Sequence, residues 1–281
     1  MSVKIITDSA SDVLTPYHPA VSVLPMTITF GDQQYRDKEE LSHQRFYELL
    51  IESEQLPSTS QIGPAQFEEA FQAQVDAGHS VVAVILSGKL SGTYQSACIA
   101  AEEFPQKVFV VDSENAALGE GILVQRAAQL VDQGLEAPEI AQRREDEKKD
   151  IRLIALLDTL GYLKRGGRIS KSVAAIGGLL SIKPVIAVQN GEVCMLGKAR
   201  GSKNGNNLLV QEIQKTTGID FERPYCLGYS GFHNDMLQKY IADSRSLWEG
   251  HAEHLPIGTI GATIGTHIGP GAVGVAFFQK R

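Results

Sequence analysis

The chain has 281 residues, of which 43% are hydrophobic, and carries a formal net charge of −7 at pH 7. Because a single core stops growing at about this length, we expect two domains of the α/β class. The negative charge argues against non-specific binding to nucleic acid or to an anionic membrane, since both need a positive protein surface. A transient membrane contact through a local basic patch is left open.

In the first half of the chain, apolar strand patterns alternate with helical patterns. Strands are predicted at residues 3–6, 81–86 and 108–111, with helices between them at residues 64–77 and 92–103. This alternation predicts βαβ units, in which a mostly parallel sheet is flanked by helices. Residues 21–30 have a further extended pattern and predict one more strand.

A run of mixed charges at residues 142–150 has no apolar face and predicts a solvated helix end that leads into a domain boundary. We place this boundary near residue 150, with an N-terminal domain at residues 1–150 and a C-terminal domain at residues 151–281. Beyond it, strand patterns at 153–157, 184–188 and 226–229 mix with helical patterns at 206–215 and 235–242. The C-terminal domain is therefore expected to contain a mixed sheet with helices.

Residues 256–279 contain no Asp, Glu, Lys or Arg, as a membrane-spanning segment would. Their glycines and Pro270 disfavour a single spanning helix, so the pattern predicts a strand, a ligand loop and a second strand. The segment 269–274 also has the glycine spacing of a dinucleotide-binding loop. We reject that interpretation because such a loop opens a helix, whereas this one leads into a strand pattern at 275–278.

The loop after the predicted strand at 81–86 has the composition of an anion site. Gly88 and Gly92 let the backbone turn sharply, and Ser91 and Thr93 place hydroxyl groups beside the unpaired N–H groups of the next helix. A helix start of this kind stabilises a small anion, which predicts the capture of a carboxylate or a phosphate. The alternative is that Ser91 only caps the helix.

A second loop, at residues 265–271, places His267 among glycines, where apolar packing does not explain a histidine. A neutral imidazole can donate a hydrogen bond from one nitrogen to a ligand oxygen, and a charged one can pair with a carboxylate. His267 is therefore predicted to be a hydrogen-bond donor to a ligand.

Several other chemistries lack their sequence signatures. The chain contains neither a Gly-x-x-x-x-Gly-Lys-Ser/Thr loop nor a Gly-x-Ser-x-Gly elbow. His251 and His254 flank Glu253 without a further ligand at metal-site spacing, so no metal site is expected. The cysteines are few and far apart, which fits neither a disulfide framework nor a zinc site; they are Cys98, Cys194 and Cys226. Met1 leads directly into a short strand pattern, so we expect a cytoplasmic location.

Seven motifs, in order along nearly the whole chain, resemble those of the DegV family. They are Ile6-Thr7-Asp8-Ser9-Ala10-Ser11-Asp12, Pro57-Ser58-Thr59-Ser60-Gln61, Leu90-Ser91-Gly92-Thr93-Tyr94-Gln95-Ser96-Ala97, Leu157-Asp158-Thr159-Leu160, Gly166-Gly167-Arg168-Ile169-Ser170, Ile182-Lys183-Pro184 and Gly265-Thr266-His267-Ile268-Gly269-Pro270-Gly271. Ile62-Gly63 departs from the Pro-Ser of many relatives and leaves the binding residues in place. The segment 201–205 is less basic than usual, which bears on contacts with a partner.

The resemblance implies a bacterial protein, expected as a monomer, that buries one long-chain fatty acid such as palmitate between its domains and needs no cofactor. It places the ligand carboxylate between Thr59, Ser91 and His267, and it adds Ser60 and Thr93 to the same site. No catalytic group of the protein's own is implied. The protein would instead present the carboxyl group to an ATP-dependent fatty acid kinase, for acyl-phosphate formation in phospholipid synthesis.

Two arginines lie next to glycines in this acidic chain, Arg168 after Gly166-Gly167 and Arg200 before Gly201. Guanidinium groups bind phosphate through paired hydrogen bonds, so we expect these two residues to contact a phosphate group or a partner protein. Solvated surface charge is the alternative.

Two further functions stay open. Ser91 and His267 could form an acyl hydrolase or transferase, although the sequence identifies no third group to orient the histidine. The chain could also be a lipid-sensing regulatory module that works without a kinase.

Overall fold

The computed structural model describes residues 2–169, 182–248, 250–251 and 254–281. The strands are β1 (Val3–Asp8), β2 (Val21–Leu24), β3 (Thr27–Phe30), β4 (Gln33–Arg36), β5 (Ser58–Ser60), β6 (Ser80–Ile85), β7 (Val108–Asp112), β8 (Ile151–Leu156), β9 (Ile182–Gln189), β10 (Glu192–Arg200), β11 (Tyr225–Tyr229), β12 (Ile257–Thr259) and β13 (Val273–Phe278). The α-helices are α1 (His43–Glu52), α2 (Pro64–Asp76), α3 (Thr93–Ala101), α4 (Ala117–Asp132), α5 (Ala137–Glu147), α6 (Gly161–Gly166), α7 (Ser202–Gln214), α8 (Asp235–Asp243) and α9 (Ala262–Ile268).

The N-terminal domain is built on a four-stranded parallel sheet with the order β2-β1-β6-β7. Every residue of β6 is buried, as expected for a parallel strand that helices cover on both faces. The predicted parallel sheet with flanking helices is confirmed. It brings the carboxyl ends of β1, β6 and β7, and the polar loops that follow them, to one edge.

The single strand predicted at residues 21–30 is wrong. The structure has two strands there, β2 and β3, which belong to different sheets. Pro25 lies between them, and because proline has no N–H to donate, it interrupts the ladder at that point. The chain leaves the parallel sheet and enters a three-stranded antiparallel sheet with the order β4-β3-β5. This small sheet carries Thr59 on β5.

The C-terminal domain contains a six-stranded mixed sheet with the order β10-β9-β8-β13-β11-β12. The pair β11–β12 is parallel and the other neighbouring pairs are antiparallel, so the predicted mixed sheet with helices is confirmed. We propose that the boundary between the domains lies near residue 150, because a short 3-10 helix, Lys148–Asp150, leads there directly into β8.

Helix α4 lies between the two large sheets. Its Ile122 and Leu123 are buried in one hydrophobic cluster with Ile5 of β1 and with Leu153 and Ala276 of β8 and β13. Because both domains bury apolar surface against the same helix, hydrophobic packing holds them together. The start of α4 is therefore fixed at the junction of the domains.

The segment 256–279, predicted as a strand, a ligand loop and a strand, contains a helix in place of the loop. β12 is followed by α9 and then by β13, and His267 lies in the last turn of α9. The helix begins where the N–H groups of Gly261 and Thr263 donate to the carboxylates of Asp12 and Asp37. Among the described residues, no helix is long and apolar enough to cross a membrane.

The charged run at 142–150 is not wholly solvated as predicted, because the Arg144 side chain of α5 is fully buried. Its Nη2 atom donates to Glu147 Oε2 at 2.7 Å, and Arg126 Nε donates to the same oxygen at 3.3 Å. Burial lowers the pKa of Arg144 to about 10. Glu147 therefore compensates a buried positive charge at the end of the N-terminal domain.

We predict that Glu147→Gln destabilises the protein by about 3 kcal/mol, because it leaves the Arg144 charge buried without its partner. Glu139→Gln is the matched control: it removes an ion pair with Arg143 on the same helix, but that pair is about half exposed. An exposed pair contributes less than about 1 kcal/mol. Equal losses for the two variants in urea unfolding would contradict this account.

Candidate functional site

An apolar cavity of about 230 Å³ lies between the C-terminal sheet and the loops of the N-terminal domain. The sheet contributes Leu153 and Ala155 of β8 and Ile186 of β9. The opposite wall includes Leu86, at the end of β6, and residues 116–118, at the start of α4. These walls can bury an apolar ligand away from water.

Polar side chains gather at one end of this cavity. They are Thr59, Ser60, Gln61, Ser91, Arg168 and His267. Thr263 also lines the cavity, but its hydroxyl donates to Asp37. Most of the residues that the sequence analysis assigned to the site are thus brought together, although 208 positions separate Thr59 from His267 in the chain. β5 supplies Thr59, the β6–α3 loop supplies Ser91, and α9 supplies His267.

Thr59 and His267 form a hydrogen-bonded pair, with 2.9 Å between Thr59 Oγ1 and His267 Nε2. The other ring nitrogen, Nδ1, is buried and has no hydrogen-bond partner among the described residues. Burial, together with the positive charge of Arg168, lowers the pKa of His267 to about 4. The imidazole is therefore neutral at neutral pH.

The tautomer of His267 follows from these contacts. A proton on Nδ1 would be a buried donor without an acceptor, whereas a proton on Nε2 donates to Thr59 Oγ1. We therefore assign the proton to Nε2. Thr59 accepts this bond, so its own O–H remains free to donate into the cavity.

Ser91 and Thr93 are paired through their hydroxyl groups, 2.9 Å apart. Ser91 Oγ also accepts a hydrogen bond at 3.3 Å from the N–H of Thr93, the first residue of α3, whose N-cap residue is Gly92. It lines the cavity as well, whereas the fully buried Thr93 does not. Thr93 thus orients Ser91 instead of facing the cavity itself.

Gln61 is a lining residue that the sequence analysis did not select. Its amide nitrogen donates to Ser96 Oγ of α3 at 3.3 Å. A Cβ atom at Gly92 would overlap the Gln61 side chain, so the glycine is needed for this close approach. The sequence signal for Gln61 is its membership of the family motif at residues 57–61, directly after Thr59 and Ser60.

The two predicted arginines occupy different places. Arg168 lines the polar end of the cavity, where its Nε donates to the Leu90 carbonyl at 3.1 Å and its Nη1 to the Gly166 carbonyl at 2.6 Å. Arg200 is exposed at the end of β10 and does not line the cavity. Ser170, the last residue of the Gly-Gly-Arg-Ile-Ser motif, lies outside the described residues.

The remaining candidate groups are separate from the cavity. His251 stacks on Phe221 with 3.9 Å between ring centroids, and Glu253 lies outside the described residues. In the part of the chain that the structure describes, no three His, Cys, Asp or Glu side chains are placed to hold a metal ion. The three cysteines are free thiols.

The fold and the cavity define a class: a two-domain α/β protein with an apolar cavity that ends in hydroxyl groups, a neutral imidazole and a guanidinium group. The family model described as "Uncharacterised protein, DegV family" matches residues 2–280. The chain belongs to the DegV family.

Relatives match this chain over nearly their whole length. A DegV domain-containing protein of Deinococcus radiodurans is 38% identical over 280 residues, which are 98% of each chain. Among solved structures, a DegV family protein from Thermus thermophilus, described for its fatty acid binding, has a TM-score of 0.85 and 32% identity over 100% of both chains. DegV from Bacillus subtilis, described as a fatty acid binding protein, has a TM-score of 0.80 and 27% identity, again over 100% of both chains.

We predict that Gly166→Ala disturbs His267, because a Cβ atom at Gly166 would overlap His267 Nδ1. The expected loss of stability is about 1–3 kcal/mol, as for other overpacked sites, with a shift of the His267 imidazole resonances in NMR spectra. Gly161→Ala is the control on the same helix, since its Cβ would lie 3.4 Å from the nearest atom. Unshifted imidazole resonances in Gly166→Ala would refute the contact.

Proposed function

We propose that this protein binds a long-chain fatty acid between its two domains, with the carboxylate at the polar end of the cavity and the acyl chain against the apolar walls. The observation that carries the proposal is the convergence of Thr59, Ser91 and His267 at one end of a largely apolar cavity. The fatty acid binding described for the relatives from Thermus thermophilus and Bacillus subtilis supports it.

The carboxylate would be recognised by hydrogen bonds that existing contacts orient. Thr59 can donate its O–H to the carboxylate because its contact with His267 uses only a lone pair of the hydroxyl oxygen. When the Thr93 hydroxyl donates to Ser91 Oγ, the Ser91 O–H is free to donate to the carboxylate as well. The start of α3 and the Arg168 guanidinium add positive potential next to the anion. A buried carboxylate without such partners would be strongly disfavoured.

The acyl chain would supply most of the affinity. Burial of each methylene group contributes about 0.8 kcal/mol, so ~14 methylenes offer on the order of 11 kcal/mol before the costs of association are subtracted. The polar groups then fix the direction in which the ligand enters. The carboxyl group would lie beside the half-buried Arg168, with the acyl chain against the apolar walls of the cavity.

The contacts argue against the alternative of a Ser91/His267 hydrolase or transferase. A serine nucleophile needs a base within hydrogen-bond reach and a third group that orients the base. Here Ser91 Oγ pairs with Thr93, His267 Nε2 pairs with Thr59, and His267 Nδ1 has no orienting partner among the described residues. These contacts favour a binding site over a catalytic one.

We predict that Ser91→Ala and Thr59→Val each weaken fatty acid binding by about tenfold to a hundredfold, since each removes a hydrogen bond to a charged group. Calorimetric titration of delipidated protein measures the effect. Ser58→Ala is the control, because Ser58 is exposed on the same strand and does not line the cavity. Unchanged affinity in both test variants would remove these residues from the site.

For the use of the bound ligand, we propose presentation to an ATP-dependent fatty acid kinase. A carboxylate oxygen would attack the γ-phosphorus of ATP, ADP would leave, and the acyl phosphate would serve phospholipid synthesis. The position of Arg168 at the polar end of the cavity and the exposed Arg200 support a phosphate-bearing partner. The monomeric state, the cytoplasmic location and the absence of nucleic-acid binding stay predictions.

We predict that Arg200→Ala leaves fatty acid affinity unchanged and lowers the rate of acyl-phosphate formation with a cognate kinase. Arg168→Ala should lower both quantities, because Arg168 also lines the cavity. Arg143→Ala is the control for loss of an exposed arginine, since about half of that side chain is exposed on α5. Wild-type phosphorylation rates in both test variants would place the partner surface elsewhere. Binding without phosphorylation by any kinase would favour the regulatory module.

A further inference from the structure

Leu118 forms part of the cavity wall at the junction of the two domains. It is the second residue of α4, it is 1% exposed, and it lines the cavity next to Ala116 and Ala117. Its neighbours on the sheet side are unusual, because most of them have no side chain.

Four small residues lie in register across the C-terminal sheet. Ala155 of β8 pairs with Gly274 of β13, Gly274 pairs with Gly228 of β11, and Gly228 pairs with Gly258 of β12. Paired residues on neighbouring strands face the same side of a sheet. The row therefore forms a shallow trough across four strands, and its first two residues, Ala155 and Gly274, line the cavity.

The tip of Leu118 lies in this trough. A Cβ atom at Gly228 would be 2.7 Å from Leu118 Cδ1, one at Gly274 would be 3.6 Å from the same atom, and one at Gly258 would be 3.6 Å from Leu118 Cδ2. Gly274 lines the cavity, whereas Gly228 and Gly258 do not. Leu118 thus separates the cavity from the part of the trough over Gly228 of β11, while Leu14 Cδ2, 3.0 Å from a Cβ at Gly258, covers the part over β12.

We propose that Leu118 determines the longest acyl chain that the cavity accepts, an inference that rests on the proposed binding of fatty acids. Each methylene group that the cavity buries raises affinity about fourfold. This gain in affinity ends at the acyl length at which the methyl end reaches Leu118. Leu118→Ala opens the trough over Gly228, and the next methylene groups of a longer chain can then occupy the space of the missing leucine carbons.

The test compares delipidated wild type, Leu118→Ala and Leu90→Ala in binding a homologous series of saturated fatty acids. In Leu118→Ala we expect the chain length of highest affinity to increase by about two carbons, with about fifteenfold tighter binding of those longer acids than in wild type. Leu90→Ala is the matched control, because Leu90 lines the cavity next to Ser91 at the polar end. Its optimum should equal that of wild type.

An unchanged optimum in Leu118→Ala, or an equal increase in Leu90→Ala, overturns the proposal while leaving fatty acid binding intact. Absence of binding to every acid by wild type overturns the proposed function itself.

Gly274→Ala is expected to change the preferred acyl length in the opposite direction. Its Cβ fits without overlap, 3.6 Å from Leu118 Cδ1, and narrows the cavity. In Gly274→Ala we expect the acyl chain length of highest affinity to be shorter than in wild type. A longer one would contradict the proposal.

A stability measurement tests the position of Leu118 independently of ligand. Gly228→Ala should lower the melting temperature of wild type, because the added methyl group overlaps Leu118 Cδ1. In the Leu118→Ala background the same substitution should lower it much less. Equal losses in the two backgrounds would show that Leu118 does not occupy the trough.

Discussion

Two buried carboxylates of the N-terminal domain hold the helix that carries His267. Asp37 Oδ2 accepts hydrogen bonds from the Thr263 N–H at 3.1 Å and from the Thr263 hydroxyl at 2.5 Å, and Asp12 Oδ1 accepts the Gly261 N–H at 2.8 Å. A helix of seven residues has little stability of its own. Its place is therefore determined by these caps, and the contact of His267 with Thr59 depends on them.

A third buried acid, Asp8 at the end of β1, positions the loop that carries Ser91. Asp8 accepts hydrogen bonds from the N–H groups of Ala10 and of Leu86, each at 2.9 Å, and so fixes the start of the loop that carries Ser91. Burial raises the pKa of Asp8 to about 6 and that of Asp12 to about 7. Hydrogen bonds from the backbone offset part of this burial cost. Asp8 is thus a structural acceptor within the N-terminal domain, whereas Asp12 accepts from Gly261 of the C-terminal domain.

The sequence predicted those features that depend on neighbouring residues, such as the buried strand β6, the helix after Ser91 and the glycine turn before it. It failed where distant residues decide the outcome. Helix α9 was missed because its caps come from residues more than 200 positions earlier. The burial of Arg144 depends on packing that the local charge pattern does not show. Thr59 was selected only through the family resemblance.

The neutral state of His267 bears on how a bound carboxylate could react. A buried imidazolium next to the ligand would form a strong charge-assisted pair and withdraw electron density from the carboxylate oxygens. In the protein without ligand the pKa of His267 is lowered to about 4, so an incoming carboxylate would meet hydrogen bonds from the Thr59 and Ser91 hydroxyl groups and no imidazolium. The positive charge comes from Arg168, whose guanidinium also donates to two backbone carbonyls. A lone pair of the carboxylate then stays available for attack on phosphorus, as the proposed kinase step requires.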